Sequence, residues 1–311
     1  MKNIILFILL IFSSLLLAQE ENFVLHTATG DIYGTLTLSQ TSKQTPLVLL
    51  IAGSGPTDRN CNQPQMQTNA FKMLSDSLLN HNIATLRFDK RGIAESKKAG
   101  SKEIDLRFEH YINDVKSFID TLAKDKRFSQ IIVAGHSEGA LIGLVAAENN
   151  AKVAKYISIS GVAISADEII KEQISAQPQA VKDMVFPMLD SLKIGKTVEN
   201  VPQMLYSLFR PSVQPYMISW LKYNPQDEIK KLNIPILIIQ GTTDIQVSEN
   251  QADLLHSANP KSTLCKVENM NHVLKTCAVT EQTAQLATYA NPDLPLMEGF
   301  VKCIVDFISQ F

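Results

Sequence analysis

Three side chains in this sequence have the types and the order of a nucleophile, an acid and a base. Ser137 stands in Gly135-His136-Ser137-Glu138-Gly139, between the apolar run Ile131-Ile132-Val133-Ala134 and the helix-forming stretch that opens Ala140-Leu141-Ile142. On a strand–turn–helix path, glycines on either side of a serine permit a turn too tight for side chains. The hydroxyl is then lifted clear of the sheet beside a helix N-terminus, where developing negative charge is favoured. A serine hydroxyl is a poor nucleophile at neutral pH and needs a base that is itself oriented by a carboxylate. Asp244 follows the run Ile236–Gln240, and His272 follows Thr263–Val267. Both therefore lie just past strands, at the edge where open α/β sheets assemble their sites. Taken singly, an aspartate after a strand reads as a turn or helix cap, and a lone histidine as a surface or core residue. In this order they read as the acid and base of an acyl-transfer site. His136 lies inside the serine turn, and His26, His81, His110 and His256 fall in early or helical positions that do not suit a base.

The carbonyl under attack also needs donors for its oxyanion. One is expected from the backbone N–H of Glu138, the residue after the nucleophile. The second is expected from Gly53-Ser54-Gly55-Pro56, where Ser54 is the candidate amide; the plainer reading is an ordinary Gly-Pro turn. Such chemistry requires no metal or cofactor.

The elements that must position these groups alternate along the chain. Phe23–His26 and Ile32–Leu38, joined through Thr29-Gly30-Asp31, read as a β-hairpin. Pro46–Ala52 is a continuous apolar run, as expected of a strand buried on both faces. Ile83–Phe88, Ile131–Ala134, Tyr156–Ser160, Ile234–Gln240 and Thr263–Val267 supply further strands. Tyr111, Val115, Phe118 and Leu122 form one stripe of a helix, as do Phe300, Ile304, Phe307 and Ile308. The expectation is an α/β fold: a mostly parallel, doubly wound sheet with helices on both faces and an N-terminal β-hairpin. Between about 161 and 232 the alternation stops, and Pro178, Pro187, Pro202, Pro211, Pro215 and Pro225 punctuate helical patches. That stretch is too long for a simple loop in a compact domain and is expected to be a helical cap over the carboxyl edge of the sheet. A packing insertion without substrate contact is the plainer alternative.

With 311 residues the chain can bury a sizeable core, and 45% hydrophobic with 19% charged residues is ordinary for a globular protein. A net charge of −2 gives no electrostatic case for nucleic acid or anionic membrane surfaces. Residues 1–18 read as a secretory signal peptide: Lys2 is the positive n-region, Ile4–Leu17 the apolar core, and Ala18 precedes Gln19-Glu20-Glu21-Asn22. The apolar run is short of the roughly 20 residues that a membrane-spanning helix needs, so no stable membrane insertion is expected once it is cleaved. Residues 19–311 then form the exported domain, periplasmic or secreted. Leu16 occupies a position where signal peptidases prefer a small residue, which leaves an uncleaved anchor as the alternative. Export permits disulfides. The four cysteines, Cys61, Cys265, Cys277 and Cys303, allow three full pairings and match no zinc spacing. A bridge among the last three and a set of buried thiols both remain open.

Together these segments resemble the α/β-hydrolase superfamily over nearly the whole chain after the signal. They are more closely similar to secreted bacterial hydrolases of the serine-aminopeptidase-like group, which includes carboxylesterases. The resemblance is carried by Gly53-Ser54-Gly55-Pro56-Thr57-Asp58-Arg59, Arg87-Phe88-Asp89-Lys90-Arg91-Gly92, the turn at Ser137, Tyr223-Asn224-Pro225, Asp244-Ile245-Gln246-Val247 and Asn271-His272. It implies Ser137 as nucleophile, Asp244 as acid and His272 as base. The chain departs at Ala94, where relatives usually carry glycine, and at Asn60, where an acidic residue is common. Asp89 and Arg91 are expected to brace a loop through charged hydrogen bonds, and Arg59 and Glu138 to pair with neighbours rather than to meet a polar substrate. The activity so implied is that of a carboxylesterase on small acyl esters. An aminopeptidase on aminoacyl substrates is the alternative, for which Asp167, Glu168, Glu172, Asp183 and Asp190 would have to supply an amine site. A binding protein that keeps the fold without catalysis is the rival of another class.

Overall fold

The computed structural model describes residues 18–39, 43–100 and 102–310. The expected signal segment therefore lies outside the described residues, apart from Ala18, where the first strand begins.

Strands β1 (Ala18–Thr27) and β2 (Gly30–Ser39) form the hairpin, with Phe23 opposite Gly34, and run longer than the alternating residues alone indicate. The chain continues through β3 (Thr45–Ile51), α1 (Ala70–Leu79), β4 (Ala84–Phe88), α2 (Phe108–Leu122), β5 (Phe128–His136), α3 (Glu138–Ala147) and β6 (Val153–Ile159). Next come five helices: α4 (Ala166–Gln173), α5 (Gln179–Lys193), α6 (Tyr206–Phe209), α7 (Gln214–Trp220) and α8 (Pro225–Ile229). The alternation then resumes with β7 (Ile236–Gly241), α9 (Glu249–Ala258), β8 (Thr263–Val267), α10 (Gln282–Tyr289) and α11 (Glu298–Ser309). The sheet order is β1-β2-β4-β3-β5-β6-β7-β8; β2 runs antiparallel to β1 and β4, and every other neighbouring pair is parallel.

The period-two geometry of a strand divides the core between the two faces of the sheet. Leu47, Leu49 and Ile51 of β3 pack with Tyr111, Val115 and Phe118 of α2, whereas Val48 and Leu50 pack with Phe71 of α1 and Phe300 of α11. The same division holds in β5 and β7, whose continuous apolar runs follow from burial on both faces. The stripes expected on α2 and α11 are the buried faces of those helices. The inserted helices α4–α8 carry a small core of their own, in which Ile169, Leu189, Leu192, Phe209 and Met217 meet.

A Cys265–Cys303 disulfide joins β8 to α11, while Cys61 and Cys277 are free. This settles the pairing that spacing left open. Among the described residues, no helix is long and apolar enough to cross a membrane.

Candidate active site

Ser137 joins the end of β5 to the start of α3 at φ 55° and ψ −121°, a backbone conformation that is costly for any residue with a side chain. The surrounding backbone imposes it. A Cβ added at Gly135 would lie 2.0 Å from the Gly139 carbonyl oxygen, and one at Gly139 would lie 2.3 Å from that of Ile51. Neither position can hold any residue but glycine without moving a strand. Ser137 N donates to the Ile159 carbonyl at 2.9 Å, which ties the turn to β6. The strain is thus held by the sheet and by helix α3, which is buried along its whole length.

Asp244 sits in the loop after β7 and is fully enclosed. Its Oδ1 accepts from the backbone amides of Gln246 and Val247 at 2.8 and 2.9 Å. Its Oδ2 accepts from His272 Nδ1 at 2.8 Å and from Gln240 Nε2 at 3.1 Å. Burial alone would raise the pKa of this carboxyl. The His272 ring and the two amides outweigh burial and hold it below the ordinary carboxylate range. His272 is buried on the loop after β8, and the neighbouring side chain of Asn271 pins that loop. Asn271 Oδ1 accepts from Lys275 N at 3.0 Å, and its Nδ2 donates to Thr288 of α10 at 2.7 Å. The Nδ1–Asp244 contact directs the other ring nitrogen away from the carboxylate, as a base requires.

Ser137 and His272 border one cavity of about 70 Å³ together with Ser54, Thr57, Gln63 and Tyr289. No direct hydrogen bond joins the two side chains, a loose arrangement common before substrate binds. The structure thus brings Ser137, Asp244, His272 and Ser54 to one place, with Glu138 beginning the helix beside them.

A sheet of this order, with a serine turn after the fifth strand and an Asp–His pair beyond the seventh and eighth, matches known proteins in both fold and sequence. The family model described as serine aminopeptidase, S33, matches residues 65–209. Est1E from Butyrivibrio proteoclasticus, solved with ferulic acid bound, superposes with a TM-score of 0.61 at 16% identity, over 90% of this chain and 96% of that one. The Pyrococcus furiosus esterase Pf2001 gives a TM-score of 0.58 at 14% identity, over 94% and 91%. The chain has the α/β-hydrolase fold. Its curated relative Esterase EstD of Thermotoga maritima is 26% identical over 231 residues, which cover 71% of this chain and 52% of EstD. The match therefore spans about half the length of that relative.

Two departures of this chain from the pattern now have physical readings. Ala94 takes φ 42°, a left-handed conformation that glycine adopts more readily. Asn60 accepts from the buried Arg87 guanidinium through Oδ1, a place where an acidic residue would add charge to the same bond. Asp89 braces the loop after β3 as expected, accepting from Arg59 N and Nη2 at 2.7 and 2.6 Å. Arg91 pairs with Asp114, so neither arginine is free to meet a substrate.

A second cavity, of about 130 Å³, opens on the other side of Ser137. One wall of it is apolar, formed by Leu141, Ile164, Ile169, Ile170, Trp220 and Val247, and Glu138, Gln173 and Gln246 are also in its lining. A larger groove, about 860 Å³ between α1 and α11, shares no lining residue with either cavity at Ser137. Its openness to solvent and distance from the chemistry set it aside.

Sequence reasoning passed over His136. Its Nε2 donates to the His272 carbonyl at 2.9 Å, and the two rings lie 4.7 Å apart. Burial, reinforced by the neighbouring His272, pushes its pKa down to about 3, so this imidazole is neutral. It holds the His272 backbone rather than moving protons. No periodicity or spacing signals such a contact, because it joins residues that the fold alone brings together.

Proposed function

We propose that this protein is a serine hydrolase, a carboxylesterase acting on small acyl esters. One observation carries the reading: His272, paired with the buried Asp244, borders the same cavity as a serine held at strained backbone angles. His272 Nε2 takes the Ser137 proton as Oγ bonds to the ester carbonyl carbon, and the carbonyl electron pair moves onto oxygen. The amides of Ser54 and Glu138 hold that oxyanion. Collapse breaks the ester C–O bond, and His272 passes its proton to the departing alkoxide. Water, deprotonated by the same histidine, then attacks the acyl-serine, and collapse releases the acid and restores Ser137. The apolar wall of Leu141, Ile164, Ile169, Ile170 and Trp220 suits the acyl group, and the cavity beside His272 suits the alcohol.

The peptidase reading draws support from the serine aminopeptidase family model. Against it stands the pairing of the acidic residues that an amine site would need. Asp167 binds Lys193 at 2.8 Å, Asp190 binds Lys171 at 2.5 Å, and Glu172 accepts from Gln251 at 3.3 Å. Glu168 caps its own helix through Ser165, and Asp183 accepts from Gln179 at 2.7 Å. Small esters ask for no such charge. Export remains part of the proposal, supported by the apolar segment after Lys2 and by a disulfide suited to an oxidising compartment.

The test uses the chain from Gln19 onward with p-nitrophenyl esters of rising acyl length and a fluorophosphonate label, beside Ser137→Ala. Turnover and labelling are expected in the parent, with kcat lost roughly a millionfold in the variant. Labelling without ester turnover would move the assignment to aminoacyl substrates. Neither signal in folded protein would end the catalytic reading.

A further inference from the structure

Lys90 follows β4 and is 2% exposed, yet the proposed reaction gives it no role. Enclosing an ammonium costs several kcal/mol unless its donors are used. Here Nζ donates to the Gly53 carbonyl at 2.5 Å, lies 3.5 Å from Glu138 Oε2 and stands 5.2 Å from the centre of the Tyr111 ring. Glu138 is itself buried, and its Oε1 accepts from the hydroxyl of Tyr216, on α7, at 2.5 Å. A continuous buried path therefore runs from the inserted helices through Tyr216, Glu138 and Lys90 to the peptide between Gly53 and Ser54.

That path carries one oxyanion donor midway, at Glu138, and another at its Gly53–Ser54 end. Glu138 supplies one amide from its own backbone. At the Gly53–Ser54 end, a trans peptide points its carbonyl and its N–H in opposite directions, and the described residues contain no cis peptide bond. Drawing the Gly53 carbonyl toward Lys90 thus turns the Ser54 N–H the other way. The surroundings agree: Lys90 borders a cavity with Gly55, Tyr111 and Tyr216, whereas Ser54 borders both cavities that contain Ser137. Ser54 N is given no acceptor among the described residues, and the first amide of α3 has no intrahelical one.

We propose that Lys90 is a positioning residue that holds the Ser54 and Glu138 amides in register for the oxyanion, and that Tyr216 makes this register depend on the seating of the inserted helices. The inference rests on the serine-hydrolase reading. A lysine present only to neutralise Glu138 would make a different prediction, because removing both charges together would then restore function.

The experiment compares Lys90→Met, the double variant Lys90→Met/Glu138→Gln and Tyr216→Phe with the parent chain. The double variant leaves no unpaired buried charge, so it stays informative where Lys90→Met alone fails to fold. Readouts are kcat and KM on a short p-nitrophenyl ester, the Ki of a trifluoromethyl ketone that forms an oxyanion on Ser137, and the Ki of the carboxylic acid product. The expected result is a loss of kcat of about 100-fold in both Lys90 variants, with KM within about twofold. The ketone should weaken by a similar factor and the acid hardly at all, since only the ketone uses the oxyanion donors. Tyr216→Phe should show the same pattern at about a tenth of the size. Retention of kcat by a folded Lys90 variant, or equal weakening of both inhibitors, would overturn the proposal while the parent still turns over and labels. A parent that does neither would remove the serine-hydrolase reading, and this inference with it.

Discussion

The carboxyl edge of the sheet and the helices inserted above it close on Ser137 from opposite sides, and they are held by different physics. At the sheet edge, backbone decides. Ser137 keeps its strained angles because carbonyl oxygens leave no room for a side chain at Gly135 or Gly139. Asp244 is fixed by two amides and two side-chain donors. The inserted helices are held by side chains: a small apolar core around Leu189 and Phe209, and charges such as Asp167 and Lys193 that pair at the periphery. The proposed chemistry sits on the part with few alternatives. The walls proposed to sort substrates sit on the part that can be repacked.

That contrast predicts a steep gradient of mutational effects from the sheet side to the inserted helices. After the nucleophile itself, the largest effect is expected at Asp244. Asp244→Asn keeps the shape but removes the charge that fixes the His272 tautomer and stabilises the imidazolium. The expected loss in kcat is about 10⁴-fold, with little change in KM. Acid unfolding gives a second check. The folded pKa of Asp244 lies below its unfolded value, so its contribution to stability is present above the unfolded value and is lost as pH falls through the folded one. Asp244→Asn should therefore flatten the acid limb of the stability curve. A variant of near-parental kcat would mean that the sheet edge is less committed than its geometry implies.

His136→Gln tests how far that commitment extends behind the reacting groups. The amide can still donate to the His272 carbonyl but cannot reproduce the ring packing, so kcat should fall by about tenfold. The imidazole is pushed down to about 3 from the 6.5 of an exposed histidine. Between those values the unfolded chain binds a proton that the folded chain refuses. Parental stability should thus fall on acidification from pH 6.5 towards 3, with a slope approaching about 1.4 kcal/mol per pH unit from this group. His136→Gln should lose that part of the slope, as measured by urea unfolding at several pH values. An unchanged slope would show that His136 does not titrate as an enclosed imidazole.

The same division explains what was legible in the sequence. Ser137, Asp244 and His272 could be singled out because each follows a strand, and strands advertise themselves by composition. The glycines at 135 and 139 marked the turn for the same reason: backbone demands leave residue-type signatures. The parallel sheet and the hairpin were readable in the alternation, although β1 and β2 extend beyond it through ladder hydrogen bonds that no side-chain pattern encodes. Lys90, His136 and Tyr216 were not legible. Each acts through a partner distant in sequence, Gly53, His272 and Glu138 respectively, and a lysine in a charged run reads as solvated surface. The acidic residues of the inserted helices were legible as types but not as pairs, so whether they were free for an amine depended on packing. Helix α10, which receives the Asn271 side chain through Thr288, gave no advance signal of a role near the site.

The smallest effect is expected on the apolar wall, and it sharpens the comparison most directly. Ala166 is buried at the start of α4 and lies on the apolar wall of the cavity of Ile169, Ile170 and Trp220 beside Ser137. Ala166→Leu would fill part of a space of only about 130 Å³ without touching Asp244, His272 or either oxyanion amide. Because the inserted helices are held by adaptable side-chain packing, the variant should fold at a cost of about 1–3 kcal/mol. Its kcat/KM for acetyl esters should stay near that of the parent. For butyryl and longer esters it should drop by several-fold to about tenfold, the scale on which a hydrophobic pocket discriminates single methylenes. A uniform loss at every chain length would mean that the wall reaches the reacting groups and that the two regions are one mechanical unit. An unchanged ranking would place the acyl group elsewhere, in the cavity beside His272, and would exchange the acyl and alcohol sides of the proposed site.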